Sequence, residues 1–235
     1  MGSAKRTSSG NHLIDALPQG DRRRLLAGCD DEQLAESQVL FGAGERVHHA
    51  RFPTTGYVSL LTPMDGAALL EVGLTGREGM AGTSLTAGIA ESPLKAVVQG
   101  AGHAYRMEAS ALRRMLLSSP ALKSLLDRYV FVRLTQVSRT AGCTRFHFVE
   151  ARLARWLLMT QDRARSSRFH VTHEFLAIML GVRRAGVTRA ATALGARGLI
   201  RYRRGDVEIL DRPGLKAASC ACYQADRDTY RLALG

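Results

Sequence analysis

Apolar and polar positions along the chain fall into three textures, and each predicts a different structure. Between His12 and Leu26, Leu13, Leu17, Leu25 and Leu26 lie on either side of Pro18, which predicts two short helices. Charge dominates Asp30 to Glu36, which reads as a solvated segment. From Val39 short apolar pieces alternate with turn residues: Val39-Leu40-Phe41, Ala50-Arg51-Phe52, Tyr57 to Leu61, Ala68 to Val72, Ala96 to Gln99 and His103 to Met107. Gly42, Gly44, Pro53, Gly56, Pro63, Asp65-Gly66 and Gly76 separate them, and strands so spaced predict an antiparallel barrel or jelly roll to about residue 108.

Then the period lengthens. Ala109 to Leu117 reads as a helix, and Pro120 suits the first position of another. Leu122, Leu125, Tyr129 and Val132 follow in steps of three and four, with Gln136 and Arg139 in the next two places. Such a stripe serves a coiled-coil seam or a helix packed on its own barrel; a dimer interface through Leu122, Leu125, Tyr129, Val132 and Gln136 is the expectation. Gly142 is expected to mark a hinge. The next helix, about Phe146 to Arg163, should bury Phe148, Leu153, Trp156 and Leu157.

The third texture, Val171 to Leu210, predicts a helix, a tight turn, a second helix and a small basic hairpin. Thr172 suits the N-cap of the first helix and Glu174 its first turn. Leu176, Met179 and Leu180 give it one apolar face, and Gly181 can take the left-handed turn conformation. In the second helix Val187, Ala190, Ala191 and Leu194 share a stripe. The opposite face carries Ala185, Arg189, Thr192 and Ala196, with Thr188 on its shoulder and Arg183 and Arg184 at the start. Leu199 to Arg203 and Val207 to Leu210 read as two strands joined at Arg204-Gly205-Asp206. This order is that of a winged helix-turn-helix, a reader of double-stranded DNA. Arginine forks suit both guanine edges and phosphates, so Thr172, Arg183, Arg184, Thr188, Arg189, Thr192, Arg201, Arg203 and Arg204 are the expected DNA-binding residues.

Composition sharpens this picture. The net charge of +12 is uneven: from Arg145 onward 17 basic residues face 8 acidic ones, which is the footprint of a phosphate-binding domain. No apolar run reaches membrane-spanning length, and no apolar stretch follows Lys5 and Arg6, so a cytoplasmic protein without membrane association is expected. Cys29, Cys143, Cys220 and Cys222 form no disulfide framework. Cys143-x-x-x-His147 and Cys220-x-Cys222 each offer two metal ligands, too few for a zinc site, so idle thiols and no metal are expected. No Ser/His/Asp order, P-loop or HExxH motif is present, and an enzyme is not expected.

The whole, from about His12 to Tyr230, resembles the Crp/Fnr family of bacterial transcription regulators. The resemblance rests on Leu40-Phe41-Gly42-Ala43-Gly44-Glu45, on Gly76-Arg77-Glu78-Gly79-Met80, and on Thr172 through Ile200. It implies an α+β fold. A leader, expected to be disordered, covers residues 1–11; a cyclic-nucleotide-binding-like sensor domain, 12–118; a dimerisation helix and hinge, 119–142; and a winged helix-turn-helix domain, 143–235. It further implies base reading by Arg184 and Arg189, with Arg183 and Thr172 near phosphates.

Two departures bear on the effector. Members that bind a cyclic nucleotide hold its ribose with a Glu and its phosphate with an Arg. The matching stretch here is Gly82-Thr83-Ser84, then Pro93-Leu94-Lys95-Ala96, with Thr83 in the Glu place and Leu94 in the Arg place. Gly82, Thr83, Ser84 and Lys95 are the candidate effector residues, but Lys95 lacks the bidentate fork, and cyclic AMP is not expected. Only Cys29 lies where an N-terminal iron–sulfur cluster would need several cysteines, and no residue marks a haem ligand. The recognition helix has Ala185 where an acidic base reader is usual, so the usual TGTGA-like half-site is not assumed. The chain thus reads as a homodimeric, sequence-specific transcription regulator. RNA polymerase is a further partner if it activates. The alternative is a ligand sensor signalling mainly through a protein partner.

Overall fold

The computed structural model describes residues 8–65 and 68–235. Of the leader expected over residues 1–11, residues 1–7 lie outside this range, while 8–11 are tied down. Ser8 and Ser9 bond to Asp15, and buried Asn11 caps helix α1 (His12–Ala16) by accepting from the backbone N–H groups of Leu13 and Ile14. Helix α2 (Gln19–Ala27) follows Pro18, as the leucine spacing predicts.

Strands β1 (Asp30–Leu34), β3 (His49–Pro53) and β7 (Gly102–Glu108) form one antiparallel sheet in the order β1-β7-β3. Strands β2 (Val39–Phe41), β4 (Tyr57–Pro63), β5 (Leu69–Thr75) and β6 (Lys95–Gly100) form the other, β2-β6-β4-β5. The result is a jelly roll of two sheets, and among the described residues they do not close into one barrel. Leu34, Ala50, Phe52 and Met107 from the first sheet meet Phe41, Val58, Leu60 and Val98 from the second in one core. The acidic segment at Asp30 is a strand at a sheet edge: only Leu34 is buried, Asp30, Asp31 and Gln33 face water, and half-buried Glu32 accepts from Arg51 of β3 at 2.6 Å.

Helix α3 (Ala109–Ser118) leads into α4 (Pro120–Phe146), which Ser119 caps. The α4 helix runs through Gly142 without a break, so the expected hinge there is corrected; its C-cap is His147. A glycine within a helix costs stability without ending it when the turns on both sides are held. The seam expected at Leu122, Leu125, Tyr129 and Val132 is also corrected. All four are buried within the chain, Leu122, Leu125 and Tyr129 in the jelly-roll core, and Gln136 accepts from Arg133. The inward face of a helix repeats every three to four residues just as a dimer seam does. Along the middle of α4 the exposed apolar residues are instead Val130, Phe131 (54% exposed), Leu134 (65%) and Val137, with Phe146 exposed at its end.

Helix α5 (Val149–Ala164) buries Leu153, Trp156 and Leu157, but Phe148 precedes it and is 88% exposed. Three strands, β8 (Arg168–His170), β9 (Ile200–Arg203) and β10 (Asp206–Ile209), pair in the order β8-β10-β9. Between β8 and β9 lie helices α6 (His173–Leu180) and α7 (Arg184–Ala196); helices α8 (Arg212–Ala218) and α9 (Cys222–Leu234) complete the chain. A second core joins the halves: Tyr57, Leu61 and Leu74 of the jelly roll pack with Trp156, Leu176, Met179 and Leu180. No helix among the described residues is long and apolar enough to cross a membrane.

Candidate nucleic-acid interface

The local sequence accounts for the geometry of α6 and α7. Thr172 Oγ1 accepts from the Phe175 N–H at 3.1 Å, which satisfies one free donor of the α6 N-terminus. Gly181 ends α6 with a φ of 61°, a conformation that carries a steric cost for any residue with a Cβ. Val187, Ala190, Ala191 and Leu194 turn inward, and the alanines let α7 lie close on its neighbours. Arg183, Arg184, Thr188, Arg189 and Thr192 are left exposed on the other face. Among the described residues Arg183, Arg184 and Arg189 have no ion pair, so their guanidinium groups are available to an anionic partner.

Thr188 differs from the rest of this group. Its hydroxyl lies 3.1 Å from His173 Nδ1 and 3.2 Å from the Arg184 carbonyl, so it links the two helices. The His173 ring stacks on Tyr202 of β9 with centroids 4.2 Å apart, and Tyr202 Oη donates to the Val171 carbonyl at 2.7 Å. Burial, then the Arg184 charge, holds the His173 pKa below its ordinary value. A neutral ring at pH 7 therefore joins α6, α7 and the hairpin, fixing where the recognition helix points.

The hairpin turns on Arg204 and Gly205, with φ values of 52° and 89°, a left-handed pair suited to a two-residue connection. Arg203 and Arg204 are exposed at its tip. Arg201 is exposed too, but its Nη1 donates to Glu208 Oε2 at 2.7 Å, which neutralises part of its charge. Sequence reasoning missed β8, whose Arg168 donates to the other oxygen of Glu208 at 2.7 Å. Its three residues are too few to announce a strand.

The candidate effector residues lie on two elements. Gly82 (φ 90°), Thr83 and Ser84 lie at a 3-10 turn, Thr83–Ala87, with Gly82 close to the His49 carbonyl of β3. Lys95 begins β6 opposite Leu61 in the other sheet. Among the described cavities none is lined by both groups. Tyr129 Oη donates to the Met80 carbonyl, and a Cβ at Gly79 would lie 2.0 Å from the phenol oxygen, so α4 is seated directly on the Gly76–Met80 turn. A cleft of about 560 Å³ lies instead between the domains, where His12, Arg77 and Glu78 face Arg163, Arg227 and Tyr230.

The expectation of idle thiols also changes. Cys143 and His147 at the end of α4 meet Cys220 and Cys222 at the start of α9, with Cys143 Sγ 3.6 Å from Cys220 Sγ. Each pair alone offered two ligands; the fold adds the pairs together.

Residues 151–218 match the Crp-like helix-turn-helix domain. No curated protein matches the sequence. Among solved structures, the fold is similar to that of CLP, a c-di-GMP-responsive global regulator of Xanthomonas campestris. That likeness has a TM-score of 0.68 at 19% identity, over 83% of this chain and 100% of that one. It is similar also to a Crp/Fnr-family regulator from Eubacterium rectale (TM-score 0.69, 15% identity, 90% and 99% covered). FixK2 from Bradyrhizobium japonicum gives a TM-score of 0.67 at 13% identity, with 82% and 98% covered. At these identities the likeness is one of fold. A jelly roll, a long connecting helix and a helix-turn-helix domain with exposed arginines are the arrangement this chain shares with those structures. Residues 151–218 are thus a Crp-like helix-turn-helix segment, and the fold around it is similar to that of Crp/Fnr regulators.

Proposed function

We propose that the chain acts in the cytoplasm as a homodimer that reads a two-fold symmetric DNA site through the exposed face of α7. The guanidinium groups of Arg183, Arg184 and Arg189 on that face, exposed and without an ion pair among the described residues, carry this reading. Arg184 and Arg189 are assigned to base edges, and Thr172, Arg183, Arg201, Arg203 and Arg204 to the backbone, with Thr192 on the same face. Thr188 is assigned to holding the helix. Val130, Phe131, Leu134 and Val137, an exposed apolar stripe on α4, are assigned to the dimer contact in place of the buried seam residues. An exposed face of this kind on a long helix is suited to a second copy of itself.

The jelly roll serves as a sensor that does not take cyclic AMP. Leu94 in the place of the phosphate-holding arginine supports this, as does the filling of the interior by Phe41, Phe52, Met80, Met107 and Tyr129. RNA polymerase is the proposed partner where the protein activates.

Selection of bound sequences from a random DNA pool tests the reading. A palindromic motif with half-site centres about one helical turn apart is expected. Salt-sensitive binding indifferent to sequence would favour a sensor that signals through a protein partner. Calorimetry with cyclic AMP is expected to show no saturable binding to the full chain, and saturable heat would overturn that part.

A further inference from the structure

Four side chains capable of ligating a metal meet at one point outside the DNA-binding face. Cys143 lies in the last turn of α4, and His147 is its C-cap, one turn on. Cys220 lies in the short connection between α8 and α9, and Cys222 opens α9. The three thiols are buried and the imidazole is half-buried. Cys143 Sγ is 3.6 Å from Cys220 Sγ, and Cys222 Sγ is 3.7 Å from His147 Nδ1. All four ligand atoms lie within 4.8 Å of one another.

These distances suit a single ion. In a tetrahedron with Zn–S bonds of about 2.3 Å and Zn–N bonds of about 2.0–2.1 Å, ligand atoms stand about 3.5–3.8 Å apart. Two edges already have that length, and the others need to close by no more than about an ångström. Three thiolates and an imidazole form a soft, nitrogen- and sulfur-rich set, which selects zinc over the oxygen-seeking magnesium and calcium. Three thiolates around a divalent ion leave one net negative charge. The Arg155 guanidinium lies against Cys143 and is itself held by Asp226 at 2.7 Å, so the excess charge meets a fixed cation. Four protein ligands leave no open position, which makes the centre structural rather than catalytic.

We propose that Cys143, His147, Cys220 and Cys222 bind one zinc-class divalent ion in a Cys3His centre that fastens the start of α9 to the end of α4. The four ligands flank the segment, residues 151–218, that matches the helix-turn-helix domain, so that likeness does not account for them. The ion would join the long helix of the sensor half to the C-terminal helix, across the domain that lies between them in sequence. The proposal is independent of which DNA site the protein reads.

The test is elemental analysis of the full chain, purified without a metal-affinity tag. About one zinc per chain is expected. Cys143→Ser and Cys222→Ser are expected to lose it, while Cys29→Ser, which lies outside the cluster, and His147→Cys, which keeps four ligands, are expected to retain it. Because a cysteine variant can fail to fold, the unsubstituted chain is also stripped with chelator and titrated with cobalt(II). Thiolate-to-cobalt charge transfer with the intense visible bands of tetrahedral cobalt is the expected spectrum, saturating at one equivalent. The proposal is overturned by a metal-free chain without that spectrum, by iron with acid-labile sulfide, or by a Cys143–Cys220 disulfide in the isolated protein.

Discussion

Trp156 Nε1 of α5 donates to Glu71 Oε1 of β5 at 2.9 Å, so a buried carboxylate of the jelly roll receives its hydrogen bond from the helix-turn-helix half. Ser59 Oγ approaches the other oxygen at 2.6 Å. Burial pushes the Glu71 carboxyl up to about 7, against the two hydrogen bonds and the more distant Arg163 and Arg133 charges that favour ionisation. Tyr57, pushed above its ordinary pKa by burial, stays neutral beside it.

The sign of the resulting pH dependence follows from linkage. Below about pH 4.5 both folded and unfolded chains hold the proton, so the contribution of Glu71 is fully present and does not vary with pH. Between there and about 7 the unfolded chain gives it up first, so stability falls as pH rises, by roughly 3 kcal/mol in all. Glu71→Gln retains an acceptor for Trp156 and a group for Ser59 but cannot titrate. Urea midpoints at about pH 5 and about pH 8 are expected to differ less in the variant than in the unsubstituted chain. An equal difference in both would show that Glu71 titrates as an ordinary carboxylate.

Arg189 stands on the exposed face of α7 without an ion pair among the described residues. Arg189→Ala is expected to cost about 1–3 kcal/mol on the selected site and to relax base preference at one position of each half-site. Titration against the selected duplex and a scrambled one checks this. Equal affinity of variant and parent for the selected site would remove α7 from the reading of bases.

The hairpin arginines should behave differently from Arg189 and from each other. Arg204→Ala is expected to weaken binding to both duplexes alike and to lower the slope of log affinity against log salt by about one per protomer. Arg201 already gives a hydrogen bond to Glu208, so Arg201→Ala is expected to change that slope less. The paired salt titrations distinguish a free cation from a neutralised one.

Gly79 is packed beneath Tyr129, where an added Cβ would lie 2.0 Å from the phenol oxygen. Tyr129 is fully buried and its hydroxyl is bonded to the Met80 carbonyl, so it has little room to withdraw. Gly79→Ala is expected to destabilise the fold by about 1–3 kcal/mol through overpacking. Chemical denaturation measures it, and a variant as stable as the parent would mean that α4 can lift from the turn at little cost.

Which parts of this molecule were legible in the sequence has a physical pattern. The period of Val187, Ala190, Ala191 and Leu194, the N-cap at Thr172 and the glycine at 181 depend on near neighbours, and all three hold. The strand at Asp30 was hidden because an edge strand needs little apolar content. The Cys143–His147 and Cys220–Cys222 pairs were visible singly, but their meeting depends on α9 lying along α4, which no local spacing records. The buried stripe of α4 is ambiguous in the sequence for a related reason. Period tells which residues share a face, and only the tertiary fold tells what that face meets.

That last distinction separates two kinds of leucine on α4. Leu125 is buried in the jelly-roll core, and Leu134 is exposed on the opposite side with Phe131 as its neighbour. Leu134→Glu places a charge on the proposed dimer face without touching the core. It is expected to shift the sedimentation profile from dimer toward monomer while leaving the circular dichroism of the chain unchanged, and to weaken binding to a two-half-site duplex far more than to a single half-site. Leu125→Ala is expected to do the reverse: to lower stability by about 2–5 kcal/mol through the cavity it leaves, with the folded fraction still dimeric. A Leu134→Glu protein that sediments as the parent does would move the dimer contact away from this stripe and leave Phe131 and Leu134 as a surface for some other partner.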